Sequence, residues 1–525
     1  MGKGKVTQRK EAVGGEKTAK KPWDLSLLAA LTLALLVSIY HYKHISFLFE
    51  NDRFFSHLST LEREMTFRTE AGFYYMYFKT IANAPSFREG LGDIIQDNGT
   101  EYPSTINSLS RFNVYPEVMI GGSFRVFNYL ADMFGYQSKS CYNINRGYGQ
   151  EPVKSCIGIG DETYYYLTSV FVLGGIEMGI LFMLCRHVSE STMGGVLGVS
   201  CFLFNHGECT RIQWTPPLRE NFSFPFLLLQ ILLVSRSLQN KELKRCWLVI
   251  ATVLFVLPWQ FSQFVLLTQT LSLLFCALVG LIEKEKVERV LDAVFVGYVI
   301  GTLLQFCNTM LISSLYVSAY LGAKIALRVY YEKSKVIEFI LRCAVFLTLF
   351  IAYKYLSGLV LNLQDDAHIF NILKAKFSEF KDFHTLLYVC AKEFDYIELS
   401  TFYKLVLTLL LPVALVTITR LVYKFTLCSP SPVYAHLSYH LLQFLCFLTM
   451  AVLLMRLKLF MTPYLCILAS LLANDFILPQ TNTSRAVIIT LLLGAMSIQG
   501  VQNIQVKKGV CPRILQISHY KSSAD

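Results

Sequence analysis

Charge is scarce in this chain: Asp, Glu, Lys and Arg make up 16% of its 525 residues, while hydrophobic residues reach 54%. Soluble domains carry roughly 25% charged and 45–50% apolar residues, so a soluble enzyme is excluded. A mean hydropathy of +0.44 points the same way. The chain also lacks a basic soluble face interleaved with exposed aromatics, which excludes a nucleic-acid-binding protein. It has no GxxxxGK[ST], HExxH, GxSxG or strand-following GxGxxG, and hydrolases and ATP-driven pumps of those types lose support. No internal repeat is visible, which weakens a secondary-transporter reading. His206 and Cys209 have no matching second pair, so no zinc site is expected.

What the chain has in quantity is apolar runs. After a basic segment, residues 1–22, a first run spans 23–46 and has no small-residue cleavage site behind it, so it reads as a retained helix and not a removed signal peptide. A polar segment, 47–163, follows. Further runs lie near 164–185, 193–205, 222–238, 247–260, 261–282, 290–307, 310–327, 336–356, 403–420, 437–455, 464–478 and 486–499. With the first they make about thirteen spans, the run at 193–205 being short for a crossing. Blocks 164–356 and 403–499 hold them, separated by a second polar loop, 357–402, and followed by a tail, 500–525. The expected fold is an all-α polytopic membrane protein.

The net charge is +11, from 48 Lys and Arg against 37 Asp and Glu. Its excess falls in alternate loops, such as Lys284, Lys286 and Arg289, which places the N-terminus on the cytosolic side. The segments 47–163, 205–221 and 357–402 then face the opposite side. Asn98 opens an Asn-Gly-Thr sequon there and is the expected glycosylation site. Cys141 and Cys156 share the first polar segment and would pair if that side is oxidising. The other cysteines, such as Cys185, Cys201, Cys276 and Cys446, sit in apolar runs as small hydrophobes.

Four polar clusters interrupt the apolar pattern. In the first, FENDRFFSHLSTLERE, Glu50 and Asp52 sit where the chain leaves the hydrocarbon. Partial desolvation suits a carboxyl to general-base work, and the alternative is an interfacial charge solvated by headgroups. Ser59 and Glu62 then form a capping box that opens a helix rich in Phe73, Tyr74, Tyr75, Tyr77 and Phe78, expected to lie along the membrane surface. In the second, NHGECTRIQWTPPLRE, Arg211 and Arg219 can hold a phosphate with paired donors, or else pair with Glu208 and Glu220. In the third, MRLKLFMTP, Arg456 and Lys458 carry charge beside apolar spans, against the positive-inside trend. The fourth, QDDAHI, contains Asp365, Asp366 and His368, where solvated loop charge competes with chelation.

These clusters resemble the dumpy-nineteen family of protein C-mannosyltransferases. The stretches that carry the resemblance are FLFENDRFFSHLSTLEREMTFRTEAGFYYMYFKT (47–80), FNHGECTRIQWTPPLRENFSFPF (204–226), LPWQFSQFVLLTQT (257–270), LMRLKLFMTP (454–463), and residues 364–369 and 386–390. The resemblance implies a GT-C glycosyltransferase fold in the endoplasmic reticulum membrane, with a cytosolic N-terminus and a lumenal active site. It implies transfer of mannose from dolichyl phosphate mannose to C2 of tryptophan in Trp-x-x-Trp polypeptides such as thrombospondin repeats. Glu50 takes the base or indole-orienting role, with Asp52 as the alternative. Arg211, Arg219, Arg456 and Lys458 are expected to hold the donor phosphate. His206, Trp214, Asp365, Asp366 and His368 are expected on the acceptor side or in supporting roles. No cofactor, nucleotide or metal is expected, and the partners are the lipid donor, the polypeptide acceptor and the bilayer. The chain's four tryptophans, Trp23, Trp214, Trp247 and Trp259, form no such pair, so it is not its own acceptor. Family members continue into a C-terminal lumenal domain, and here the resemblance is expected to end near Gly500. The alternative function is therefore a catalytically weak or inactive membrane scaffold.

Overall fold

The computed structural model describes residues 25–68, 70–145, 149, 151–239, 245–332, 334–361, 371, 374–378, 383, 386, 391–427 and 434–505. Asp365, Asp366 and His368 lie outside them.

The first apolar run becomes helix α1, Leu25–Arg53. Hydropathy marks where lipid stops, but a helix keeps its backbone hydrogen bonds past that point. Glu50 and Asp52 therefore lie on the last turn of α1 and not beyond it. The helix stops at Phe54, which adopts a left-handed conformation (φ 52°). The polar segment is densely folded. It forms α2 (Thr60–Met65), α3 (Glu70–Asn83), α4 (Phe87–Ile95), α5 (Ser108–Phe112) and α6 (Tyr115–Met133). The sequence-level capping box is present, with Ser59 accepting from Glu62 N and the Glu62 carboxylate accepting from Ser59 N. A hairpin of β1 (Ser140–Ile144) and β2 (Val153–Ile157) qualifies the all-α expectation. Cys141 and Cys156 face each other across it and are disulfide-bonded.

Helix α7, Glu162–Ser189, is the central span and packs on α1. Their approach is close enough that a Cβ on Gly175 would stand 2.7 Å from the Ser38 carbonyl oxygen. Only a residue without a side chain fits there, as in membrane helix packing generally. Helices α8 (Thr192–Phe204), α9 (His206–Cys209) and α10 (Arg219–Leu238) follow. Among the described residues eight helices are long and apolar enough to cross a membrane, or nine if Leu399–Leu407 and Leu410–Thr426, bent by 86°, form one span. Three shorter apolar helices, Thr192–Phe204, Arg245–Val256 and Ser262–Leu278, and the charged-ended helix Lys284–Leu304 occupy the other expected runs.

The aromatic helix α3 departs from the surface position expected of it. Tyr75, Tyr77 and Phe78 are buried, with Tyr75 stacked on Phe67 and Phe78 on Tyr166. Its aromatic stripe faces α6 and α7 and forms a second apolar core. That core fixes the polar segment to the bundle. Further hydrogen bonds join them: Asn113 Nδ2 donates to Leu257 O at 3.0 Å, Ser110 Oγ to Gln305 O at 3.0 Å and Asn308 Nδ2 to Ser110 O at 3.0 Å. The polar segment thus meets the turns near 257 and 305 at one end of the bundle. The alternating charge pattern assigns these turns to the same side.

Candidate functional site

The same end gathers three of the sequence clusters. Arg53 Nη2 donates to the Trp214 carbonyl, which ties the last turn of α1 to the segment after α9. One turn back, Glu50 Oε1 accepts from Ser56 N at 2.9 Å and from Ser56 Oγ at 2.5 Å. Among the described residues nothing donates to its other oxygen. Asp52, on the same turn, is exposed.

Four cations converge on three carboxylates beyond this point. Arg211 grips Glu393 with both terminal nitrogens, one of them at 3.0 Å, and lies 3.9 Å from Glu220. Arg456 reaches Glu220 at 3.3 Å. Lys458 and Lys404 share Glu208, at 2.6 Å and 2.8 Å. The Arg456–Lys458 spacing of two residues, too short for one helical face, is resolved by a 3-10 turn at Met455–Leu457 that aims each cation at its own carboxylate. Burial alone would raise the Glu208 carboxyl, but the hydrogen bonds from Lys404 and Lys458 outweigh it and hold it below the usual range. Burial is likewise outweighed at Glu393 by the bond from Arg211. Behind the cluster lies a cavity of about 10 Å3, lined by Glu177, Thr210, Arg211, Glu220 and Asn221, the size that holds one water.

Arg219, also expected to hold the donor phosphate, is engaged by a different carboxylate. It is buried, paired by both terminal nitrogens with the fully buried Glu117, donating also to Asn113 O at 2.9 Å, and stacked 3.8 Å from the centre of the Tyr74 ring. Its fork is closed, and the partner is neither Glu208 nor Glu220. Arg219 joins α10 to α6. His206 is also buried, and its Nε2 lies 3.1 Å from His41 Nε2, while His41 Nδ1 donates to Gly174 O at 2.8 Å. These bonds hold α1, α7 and α9 together, with the His206 ring against His41. Trp214 is partly exposed beside Gly207. Asn98 is exposed on a turn that Asp97 braces by accepting from Gly99 N and Thr100 N at 3.0 and 3.1 Å.

Sequence reasoning missed Glu117, Glu177, His41, Lys404 and Glu393. Each is a single residue in an unremarkable stretch; the partners of Glu117, His41, Lys404 and Glu393 are distant along the chain, and Glu177 is placed only by the cavity it lines. Glu177 and His41 left the one available signal, a polar group inside an apolar run. Among the described residues no three His, Cys, Asp or Glu side chains converge as metal ligands.

Comparison with known proteins agrees with this architecture. The family model described as Dpy19, Q-cell neuroblast polarisation, matches residues 35–434 and 428–515, reaching past Gly500 where the resemblance was expected to end. The human protein named C-mannosyl-transferase DPY19L1 is 43% identical over 497 residues, covering 90% of this chain and 74% of its own length. The Caenorhabditis elegans C-mannosyltransferase dpy-19 is 40% identical, covering 92% and 73%. In structure the chain is similar to the Archaeoglobus fulgidus oligosaccharyltransferase AglB, solved with an inhibitory peptide and a dolichol-phosphate. The TM-score is 0.55 at 13% identity, over 93% of this chain and 56% of that one. That likeness bears on the fold alone, which is GT-C-like. The family match runs through nearly all of the described bundle, and the relatives share two residues in five, so this chain belongs to the Dpy19 family.

Proposed function

We propose that this chain is a glycosyltransferase that moves mannose from dolichyl phosphate mannose to C2 of a tryptophan in a Trp-x-x-Trp stretch of a secretory-pathway polypeptide, on the lumenal face of the endoplasmic reticulum membrane. The observation that carries the reading is the convergence of Glu50 and the Arg211, Arg456 and Lys458 cluster at one end of the bundle, in a chain whose relatives are named C-mannosyltransferases. The Cys141–Cys156 disulfide at that end supports an oxidising, lumenal side.

The chemistry sets two requirements. The bond from the anomeric carbon to the phosphate oxygen breaks as that carbon joins indole C2, and the C2 proton must then leave. Arg211 already grips a planar carboxylate with both nitrogens, the geometry that also suits a phosphate. Arg456 and Lys458 add positive charge where the leaving phosphate becomes more negative, in fixed positions that need no reorganisation. The Glu50 oxygen to which no described residue donates takes the C2 proton, or orients the indole while it departs. Asp52, exposed and one half-turn away, is the alternative. Arg219 has no part in the clamp.

The test uses the purified chain in detergent with dolichyl phosphate mannose and a synthetic Trp-x-x-Trp peptide. The expected product is the peptide with one hexose on tryptophan, formed equally with a metal chelator present. A peptide left unmodified by a chain that binds dolichyl phosphate would overturn the proposal.

A further inference from the structure

Glu50 is held by a short relay, buried at its Arg63 end, that begins at the disulfide hairpin. Ser56 gives both its backbone N–H and its hydroxyl to one Glu50 oxygen. The Ser56 carbonyl in turn accepts from Arg63 Nη2 at 3.2 Å. Arg63 is fully buried, yet among the described residues no carboxylate pairs with it. Its donors go instead to Phe55 O at 2.9 Å, to Ser155 Oγ at 2.8 Å and to the Cys156 carbonyl. Ser155 Oγ donates onward to Leu58 O at 2.9 Å, and the guanidinium lies against the Phe55 and Tyr164 rings, 5.5 and 4.8 Å from their centres. Burying a cation this completely is costly, and only a full set of acceptors offsets it. Here every acceptor belongs either to the turn that carries Ser56 or to the hairpin strand that carries Cys156.

Building on the reading of Glu50 as the base, we infer that Ser56 and Arg63 are positioning residues for Glu50, and that the Cys141–Cys156 hairpin is their anchor. Two donors on one oxygen fix the rotation of the carboxylate and leave the second oxygen to face the indole. The Arg63 fork sets the height of the Ser56 turn relative to α1. The hairpin, closed by its disulfide, keeps the Cys156 carbonyl and Ser155 hydroxyl in place. A serine three residues past the end of α1 and an arginine on α2 are thereby part of the catalytic geometry without touching either substrate.

The experiment measures kcat and KM for donor and peptide, together with dolichyl phosphate binding, for the natural chain, Glu50→Gln, Ser56→Ala, Ser56→Thr and Arg63→Lys. Ser56→Ala is expected to lower kcat about tenfold, the effect of one lost charged hydrogen bond, with both KM values and dolichyl phosphate binding unchanged. Ser56→Thr keeps the hydroxyl and is expected to restore kcat. Arg63→Lys keeps the charge but cannot reach four acceptors, and is expected to lower kcat further at unchanged donor binding. Mild reduction of the disulfide in the natural chain is expected to act in the same direction. Natural kcat in Ser56→Ala, or no recovery in Ser56→Thr, overturns the inference. If Ser56→Ala is too unstable to assay, the comparison of Arg63→Lys with the reduced natural chain decides: unchanged kcat in both overturns it. A dead Glu50→Gln beside a fully active Ser56→Ala leaves the reading of Glu50 standing and removes only the relay. An active Glu50→Gln removes both.

Discussion

Glu117→Ala is expected to cost about 3–5 kcal/mol of stability, the usual penalty for leaving one member of a buried ion pair without its partner. Glu117 is fully buried, holds Arg219 through both oxygens and accepts from Tyr166 Oη at 2.9 Å. Its removal strands a guanidinium and a phenol between α6, α7 and α10. Arg219→Lys should also be costly, because an ammonium cannot reproduce the two-pronged bond or the stacking on Tyr74. Replacing both residues at once, Glu117→Leu with Arg219→Met, should recover much of the loss, since apolar pairs of similar volume often substitute well for buried ion pairs. Melting of the detergent-purified variants checks this. Equal melting of Glu117→Ala and the natural chain would contradict the scaffold role given to Arg219.

Arg211→Gln and Glu393→Gln are expected to change affinity for dolichyl phosphate in opposite directions. Removing the Arg211 fork should weaken binding by about 10²-fold or more, since a phosphate loses a bidentate charged contact. Removing the Glu393 charge should tighten it severalfold. Glu393 occupies the fork that the phosphate needs, and its pKa is held below the usual range by Arg211, so at neutral pH it remains an ionised competitor. Protonation would release it only as pH falls below the ordinary carboxylate value of about 4.3. Titration of each variant with dolichyl phosphate reads both effects. Weaker binding in Glu393→Gln would mean that Glu393 supports the site and does not compete for it.

Much of this end of the molecule was legible in the residues. The apolar runs located the spans, and polar clusters inside them singled out Glu50, Arg211, Arg456 and Lys458. The capping box at Ser59 was readable because its two partners lie three residues apart. What the chain order hides is distance in space. Glu117 and Arg219 stand 102 positions apart, and Arg211 and Glu393 182 apart. No periodicity announces such pairs, so Arg219 was indistinguishable from Arg211 until folding gave each its own carboxylate. The aromatic face of α3 misled for a related reason. Its pattern reports an apolar surface, and whether lipid or protein covers that surface is decided by α6 and α7. The hairpin between α6 and α7 had only its two cysteines to announce it.

The most direct test of the account is mass spectrometry of a secreted thrombospondin repeat from cells that lack their own C-mannosyltransferases and are supplied with this chain or its Glu50→Gln variant. The account predicts one hexose on tryptophan with the natural chain and none with the variant. Hexose from both would remove Glu50 from the chemistry, and none from either, with both proteins stably inserted, would contradict the proposed activity itself.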